Sequence, residues 1–383
     1  MGMLKCAIFI HLGKKVFSMA RIHRLSLQHF RNLTQLDWTL DAGQNILVGD
    51  NAAGKTALIE ALWFLASGRS FRANQPKQLI QQDQSQFTLF CEVAHQSTTH
   101  RLGLSRDANQ TDIHLDGQKN TPQSALSQCL PLQLLTPESH QLLTEGPKAR
   151  RRFLDWGCFY HYPDFIAHWR RYQRALKQRN MALKQHRPQD EVALWDKTLI
   201  QSGTAVNQIR QDYLEKLEPI LHDFAEYLMP RFNQQHRLTL NFYPGWSAQT
   251  GGDFAQSLQQ HLVKDRQLGF TQYGPHRMDI RIKVDQQDAL LRLSRGQQKL
   301  LVCSLLLAQA QYLAEQTGES VIMLIDDLPA ELDETHRFKL LNLLQEMQIQ
   351  HLVTTTAIEL IPNIDKGSRQ TFLLQQGQLS QQA

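Results

Sequence analysis

One run, Gly49-Asp50-Asn51-Ala52-Ala53-Gly54-Lys55-Thr56, constrains this chain more than anything else in it. It completes the pattern GxxxxGK[ST], whose glycines let backbone N–H groups close around phosphates while the following helix adds its positive N-terminal end. The apolar run Ile46-Leu47-Val48 precedes it, as a buried parallel strand would. Residues 55–66 follow, with Leu58, Leu62 and Leu65 on one helical face and Gly68 as a stop. Strand, loop and helix in this order open an α/β sheet with a nucleotide at its edge. In that frame Gly49, Asp50, Asn51, Ala52, Ala53 and Gly54 cradle ATP, Lys55 reaches the β/γ-phosphates, and Thr56 joins the Mg²⁺ shell.

Two distant segments belong to the same chemistry. Residues 321–325 form a fully apolar strand ending in Asp326-Asp327, where open α/β sheets place their ligands. Asp326 then holds Mg²⁺, directly or through water, and Asp327 orients or deprotonates the attacking water; the plainer alternative is a buried strand stopping at two solvated acids. Between loop and aspartates lies Leu293-Ser294-Arg295-Gly296-Gln297, heading a long apolar helix. Alone, Ser294 there is an ordinary N-cap. Placed between the other two pieces, it reads as a second helix N-terminus, Ser294 and Gly296 aimed at the γ-phosphate held by another copy.

The 383 residues suffice for two domains with a large core. No apolar run is long enough to span a bilayer. The five cysteines, Cys6, Cys91, Cys129, Cys158 and Cys303, are scattered and include no CxxC, so they read as buried or free thiols in a reducing cytoplasm. Residues 1–18 resemble a signal peptide only superficially, because the apolar run is short and no A-x-A-like site follows. They read as a non-native or disordered extension, with Met19 as the alternative start.

Net charge is +5 but uneven: residues 148–187 carry eleven Lys/Arg against Asp155 and Asp164. A positive field on a mildly acidic body suits a polyanion, and DNA phosphates would be neutralised without regard to sequence; a merely solvated basic helix face is the competing reading. Trp169 and Tyr172 read as core rather than as stacking platforms, and no histidine spacing suggests a metal site. Two-residue alternation at Leu25, Leu27, Leu36 and Trp38 marks strands, and alternation returns at Leu238–Phe242 and Ile280–Val284. Residues 148–230 are helical in pattern, punctuated by Pro188, Pro219 and Pro230. The glutamine-rich 75–86 reads as a solvated loop and 375–383 as a frayed end. The fold class is therefore α/β: an ATPase head of mixed sheet and helices, residues 19–145 and 265–383, interrupted by a mainly helical, basic lobe at 146–264.

The ordered motifs resemble the ABC-type ATPase head of chromosome-maintenance and repair proteins, and more closely the bacterial RecF recombination-repair family. Phe30-Arg31-Asn32, Gly68-Arg69-Ser70-Phe71-Arg72, 133–138 (QLLTPE), 153–157 (FLDWG), 176–180 (LKQRN), Gly274-Pro275-His276-Arg277 and Glu331-Leu332-Asp333 carry the likeness, which spans about residues 19–380. The resemblance implies that Arg31 and Asn32 lie near the nucleotide, that Gln133 senses the γ-phosphate, and that Asp333 sits in a loop communicating across a dimer. It implies an ATP-dependent homodimer, single- and double-stranded DNA as ligand, slow hydrolysis that releases DNA, and recombinase loading with RecO- and RecR-like partners. Two departures from the wider ABC pattern stand out. Asp327 is one methylene shorter than the usual Glu, and Thr355 and Thr356 follow strand 351–354 where a switch histidine is expected. Three alternatives remain at this level: an ATP-bound switch with negligible hydrolysis, a transporter nucleotide-binding subunit, and a small-molecule kinase.

Overall fold

The computed structural model describes residues 20–246, 253–364 and 367–382; the extension expected at 1–18 lies outside them. β1 (Arg21–Phe30) and β2 (Leu33–Thr39) alternate as the sequence requires, with Leu25 opposite Trp38 and Leu27 opposite Leu36, all buried. β3 (Gln44–Val48) is buried at every position and feeds the glycine loop and α1 (Lys55–Ser67). Then come β4 (Gln86–His95), β5 (Thr98–Asp107), β6 (Thr111–Leu115), β7 (Gln118–Lys119), α2 (Gln123–Cys129) and β8 (Leu132–Leu135).

Contacts divide the chain into two compact units, one running to Ser139 and resuming at Lys299, the other His140–Gln298. The second unit holds α3 (Gln141–Thr144), α4 (Pro147–His161), α5 (Phe165–Lys184), α6 (Gln189–Ala193), α7 (Asp196–Leu228) and α8 (Pro230–Gln235). It continues through β9 (Leu238–Tyr243), α9 (Phe254–Leu268), β10 (Asp279–Val284), β11 (Gln287–Asp288) and α10 (Ala289–Arg292). The sequence pattern ends the helical lobe at 264; the compact unit is wider because β9 pairs antiparallel with β10, Leu240 opposite Ile282. The chain returns through α11 (Arg295–Thr317), β12 (Ile322–Ile325), α12 (Leu328–Glu331), α13 (Glu334–Glu346), β13 (Gln350–Thr355), β14 (Arg369–Gln375) and β15 (Gln378–Gln382).

The first unit has two six-stranded sheets. One is antiparallel, β2-β1-β4-β5-β6-β7; the other runs β15-β14-β3-β13-β12-β8, parallel except at its β15 edge. α1 is apolar nearly all round and touches strands of both sheets, as a fully buried helix does. Phe64 meets Phe87 edge-on at 5.5 Å on one side of the core, and Trp38 meets Phe372 at 5.4 Å.

Three local expectations change. Pro219 does not end a helix but rides inside α7, with Leu217 and Leu221 buried on either side. The 75–86 stretch is not simply solvated: Leu79 is buried and Ile80 bridges to Phe30. Most of the glutamine-rich tail is a paired strand rather than a frayed end. In the basic stretch, three cations turn inward. Arg150 grips Asp279, Arg151 donates to the Met278 carbonyl, and Arg179, wholly buried, lies between Asp196 and Asp265. Tyr172 is core, as expected, and half-buried Trp169 packs beside it under the Arg210 guanidinium.

Candidate functional site

At the carboxyl ends of the parallel strands lies a cavity of about 840 Å³. The turn that enters it is shaped by glycine. A Cβ on Gly49 would stand 2.4 Å from the Leu374 carbonyl oxygen, and Gly54 has φ 112° with Leu33 Cδ2 only 2.8 Å from where its Cβ would be. Lys55 Nζ donates to the Gly49 and Asp50 carbonyls at 2.6 and 2.8 Å. Burial lowers its ammonium below the usual range, against the pull of Asp327, Asp326 and Asp50.

Thr56, at the head of α1, donates its hydroxyl to Asp326 Oδ1 at 3.1 Å, closing a separation of 270 residues. The Thr354 hydroxyl donates to the same oxygen at 2.8 Å and accepts the Asp327 N–H at 2.7 Å. Parallel register explains this, since Val353 pairs with Ile325 and so brings Thr354 beside Asp326. Among the described residues no donor reaches Asp326 Oδ2. Burial raises the Asp326 carboxyl above the usual range; the two threonine hydroxyls and Arg72 oppose it, and Asp327 adds to it. Asp327 itself sits in the left-handed region (φ 51°, ψ 55°), uncommon for a non-glycine residue.

The flanks are equally ordered. Asn32 Nδ2 donates to the Ala52 carbonyl at 3.1 Å and so pins the loop. Arg31 lines the cavity, but its guanidinium makes a bidentate pair with Glu60, both contacts 2.8 Å, and Ser70 Oγ donates to the same carboxylate. Glu60 is wholly buried in α1, so Arg31 is the counter-charge it requires.

The model of the RecF/RecN/SMC N terminal domain matches residues 21–378. A DNA replication and repair protein RecF of Hydrogenovibrio crunogenus is 50% identical over 364 residues, 95% of this chain and 100% of the relative. The chain belongs to the RecF family. The RecF of Shewanella denitrificans is 37% identical over 94% of this chain and 99% of its own. In fold, the chain is similar to a solved RecF described as a recombination mediator, with a TM-score of 0.84 at 24% identity over 96% of this chain and 100% of that one. It is more distantly similar to an Smc head domain from Pyrococcus furiosus, TM-score 0.57 at 13% identity, covering 95% and 97% of the two chains.

In this RecF-family chain the cavity brings together Arg31, Asn32, Asn51, Ala52, Gly54, Lys55, Thr56, Asp326 and Asp327. Gly49 and Asp50 present their carbonyls to Lys55, and Ala53 packs on the core behind the loop. Gln133 is elsewhere: on the edge strand β8 it pairs with Met323 on β12, is 3% exposed, and does not line the cavity. Ser294, Arg295, Gly296 and Gln297 belong to the other unit and do not line it either. They form a reciprocal cap, Gln297 N–H to Ser294 Oγ and Ser294 N–H to Gln297 Oε1. Asp333 caps α13 by accepting the His336 N–H. Arg72, from a motif that carries the likeness, and Thr356, from where a switch histidine is expected, line the cavity, as do Gln78, Gln81, Gln82 and Thr354, which sequence reading missed.

Proposed function

We propose that this chain is an ATP-gated DNA-binding protein of recombinational repair and replication-fork maintenance, acting as an ATP-dependent homodimer with slow hydrolysis. The observation that carries this is the convergence of Lys55, Thr56, Asp326 and Asp327 in one cavity, with Thr56 and Asp326 in hydrogen-bond contact. The residues fit Mg²⁺-ATP. Two glycines keep the loop backbone bare, Lys55 already donates to the kind of oxygen acceptor a phosphate offers, and Asp326 keeps Oδ2 open in a setting that favours a neighbouring cation. Bound Mg²⁺ would supply charge neutralisation on the phosphates. Thr56 and Asp326 would hold it, and Asp327 would orient water from a carboxylate shorter than the usual Glu, which favours slow turnover.

Dimerisation is supported by Gly296. Among the described residues nothing lies within 4 Å of where its Cβ would be, so no described neighbour requires glycine there. A glycine in a helix costs up to about 1 kcal/mol relative to alanine. An exposed helix start, whose Arg295 and Gly296 N–H groups meet no acceptor among the described residues, suits an anion carried by a second copy. ATP held between copies would favour the dimer by linkage. A solved relative is described as RecF-ATP in the RecFOR pathway; that likeness supports ATP, and RecO- and RecR-like partners. The alternative of an ATP-bound switch with negligible hydrolysis rests on the shortness of Asp327.

Sedimentation of the full chain, with and without ATP and a gapped duplex, tests the proposal. Wild type should dimerise with ATP and carry the duplex; Lys55→Met should lose both, and Ser294→Arg should bind ATP as a monomer. A wild type that stays monomeric and free of DNA at saturating ATP sinks the reading. A Ser294→Arg variant that dimerises normally removes the trans contact.

A further inference from the structure

Two motifs have no part in the nucleotide site: Leu176-Lys177-Gln178-Arg179-Asn180 and Gly274-Pro275-His276-Arg277. The second unit brings them together around one turn. Asn180 Oδ1 accepts both the N–H and the hydroxyl of Thr271 at 2.8 Å, and Arg179 donates to the same hydroxyl at 2.7 Å. His276 binds the Thr271 carbonyl through Nε2 at 3.0 Å and meets the Tyr172 hydroxyl through Nδ1 at 2.6 Å. Arg179 continues to Asp265, itself 1% exposed. Buried ionic networks add little stability over apolar packing, and their best-attested use is to fix one geometry. The geometry fixed here is that of residues 269–277.

This turn presents an uncommon surface. Leu268 is 49% and Phe270 37% exposed, and the Arg277 guanidinium stands 5.9 Å from the Phe270 ring centre. Gly269 lies over Lys184, and Arg266 donates to the Arg187 carbonyl, so the ends of α5 and α9 adjoin. In the two segments 177–187 and 261–277 every cation but Arg179 is exposed or half-buried: Lys177, Lys184, Arg187, Lys264, Arg266 and Arg277. The one acid there, Asp265, is buried against Arg179. A duplex backbone offers charge but nothing to an exposed phenyl ring. A strand with unpaired bases offers both, since every base has a face that stacks and a phosphate beside it.

We propose that this surface takes single-stranded nucleic acid, one base stacking on Phe270 beside Arg277, and flanking phosphates on Lys184 and Arg266. This rests on the DNA-binding reading above and adds the place and the strand form. The full chain is titrated into labelled oligothymidylate and into a blunt duplex, read by fluorescence anisotropy across a salt series. Phe270→Leu keeps the apolar volume and should weaken the single strand about tenfold while leaving the duplex unchanged. Lys184→Glu with Arg277→Glu should weaken the single strand further and flatten its salt slope. Wild type binding neither nucleic acid would overturn the DNA-binding reading and this site with it. Wild type binding the strand while Phe270→Leu binds it equally would overturn this site alone. So would displacement of the strand by polyglutamate, a competitor that offers charge without bases, at matched charge.

Discussion

Thr354 is 1% exposed, and its single hydroxyl fixes both acids of the site, one through a side-chain oxygen and the other through a backbone N–H. Thr354→Val keeps the shape and removes the link, leaving a buried N–H without its acceptor, a cost of about 1–3 kcal/mol at that point. We expect ATP turnover to fall at least tenfold and half-saturating Mg²⁺ to rise, with metal-free nucleotide binding little changed; Thr354→Ser should restore both. Kinetics over a Mg²⁺ series together with fluorescent-nucleotide binding checks this, and a serine variant as impaired as valine would exclude the hydroxyl. Why the sequence hides Thr354 is a matter of register. A threonine closing a β-branched strand reads as packing, and only the pairing of Val353 with Ile325 sets it beside Asp326. The same argument runs backwards for Gln133. The family resemblance puts it at the γ-phosphate, but its pairing with Met323 leaves it three residues short of Asp326. Lys55, Thr56 and Asp326, by contrast, stand at strand and helix ends that hydrophobic pattern marks clearly.

At the scale of elements, contiguous pattern was readable and packing partners were not. β3, the loop and α1 follow from an apolar run, two glycines and a 3.6-residue stripe. Gly157 shows the other side. In sequence it is a glycine inside a helix, and only the fold reveals that a Cβ there would stand 2.1 Å from Tyr213 Cζ on α7. α4 and α7 can approach this closely only with glycine. Gly157→Ala should therefore destabilise the second unit by about 1–3 kcal/mol despite the better helix propensity of alanine. Chemical denaturation followed by circular dichroism measures it. Tyr213→Leu in the same chain should recover part of the loss, and additive losses would show that the ring is not what the methyl meets.

Across the whole molecule, two histidines, one in each unit, are kept neutral by burial. His351, on β13, binds the Ile349 carbonyl through Nδ1, so that nitrogen carries the proton, and burial holds its pKa down at about 4. Protonating Nε2 would bury a second N–H that has no acceptor. His276, in the second unit, gives its Nε2 proton to the Thr271 carbonyl and takes one from the Tyr172 hydroxyl; burial first, then Arg277, Arg151 and Arg210, bring it to about 4. Between about pH 6.5 and 4 the unfolded chain binds protons that the folded chain refuses, so each site lowers stability as pH falls, by at most about 1.4 kcal/mol per pH unit. Asp326 works the other way. Its raised carboxyl takes up a proton earlier when folded, which offsets part of the loss in the acidic part of that window. The net expectation is a melting temperature that declines from pH 7 toward pH 5, because two imidazoles outweigh one carboxyl there. His351→Leu removes one titration from the first unit without removing a long-range hydrogen bond, since its carbonyl partner is two residues away. Calorimetry of wild type and this variant from pH 7 to 5 should show a flatter decline in the variant. Parallel declines would mean that the buried imidazole of β13 does not govern the acid sensitivity of its unit.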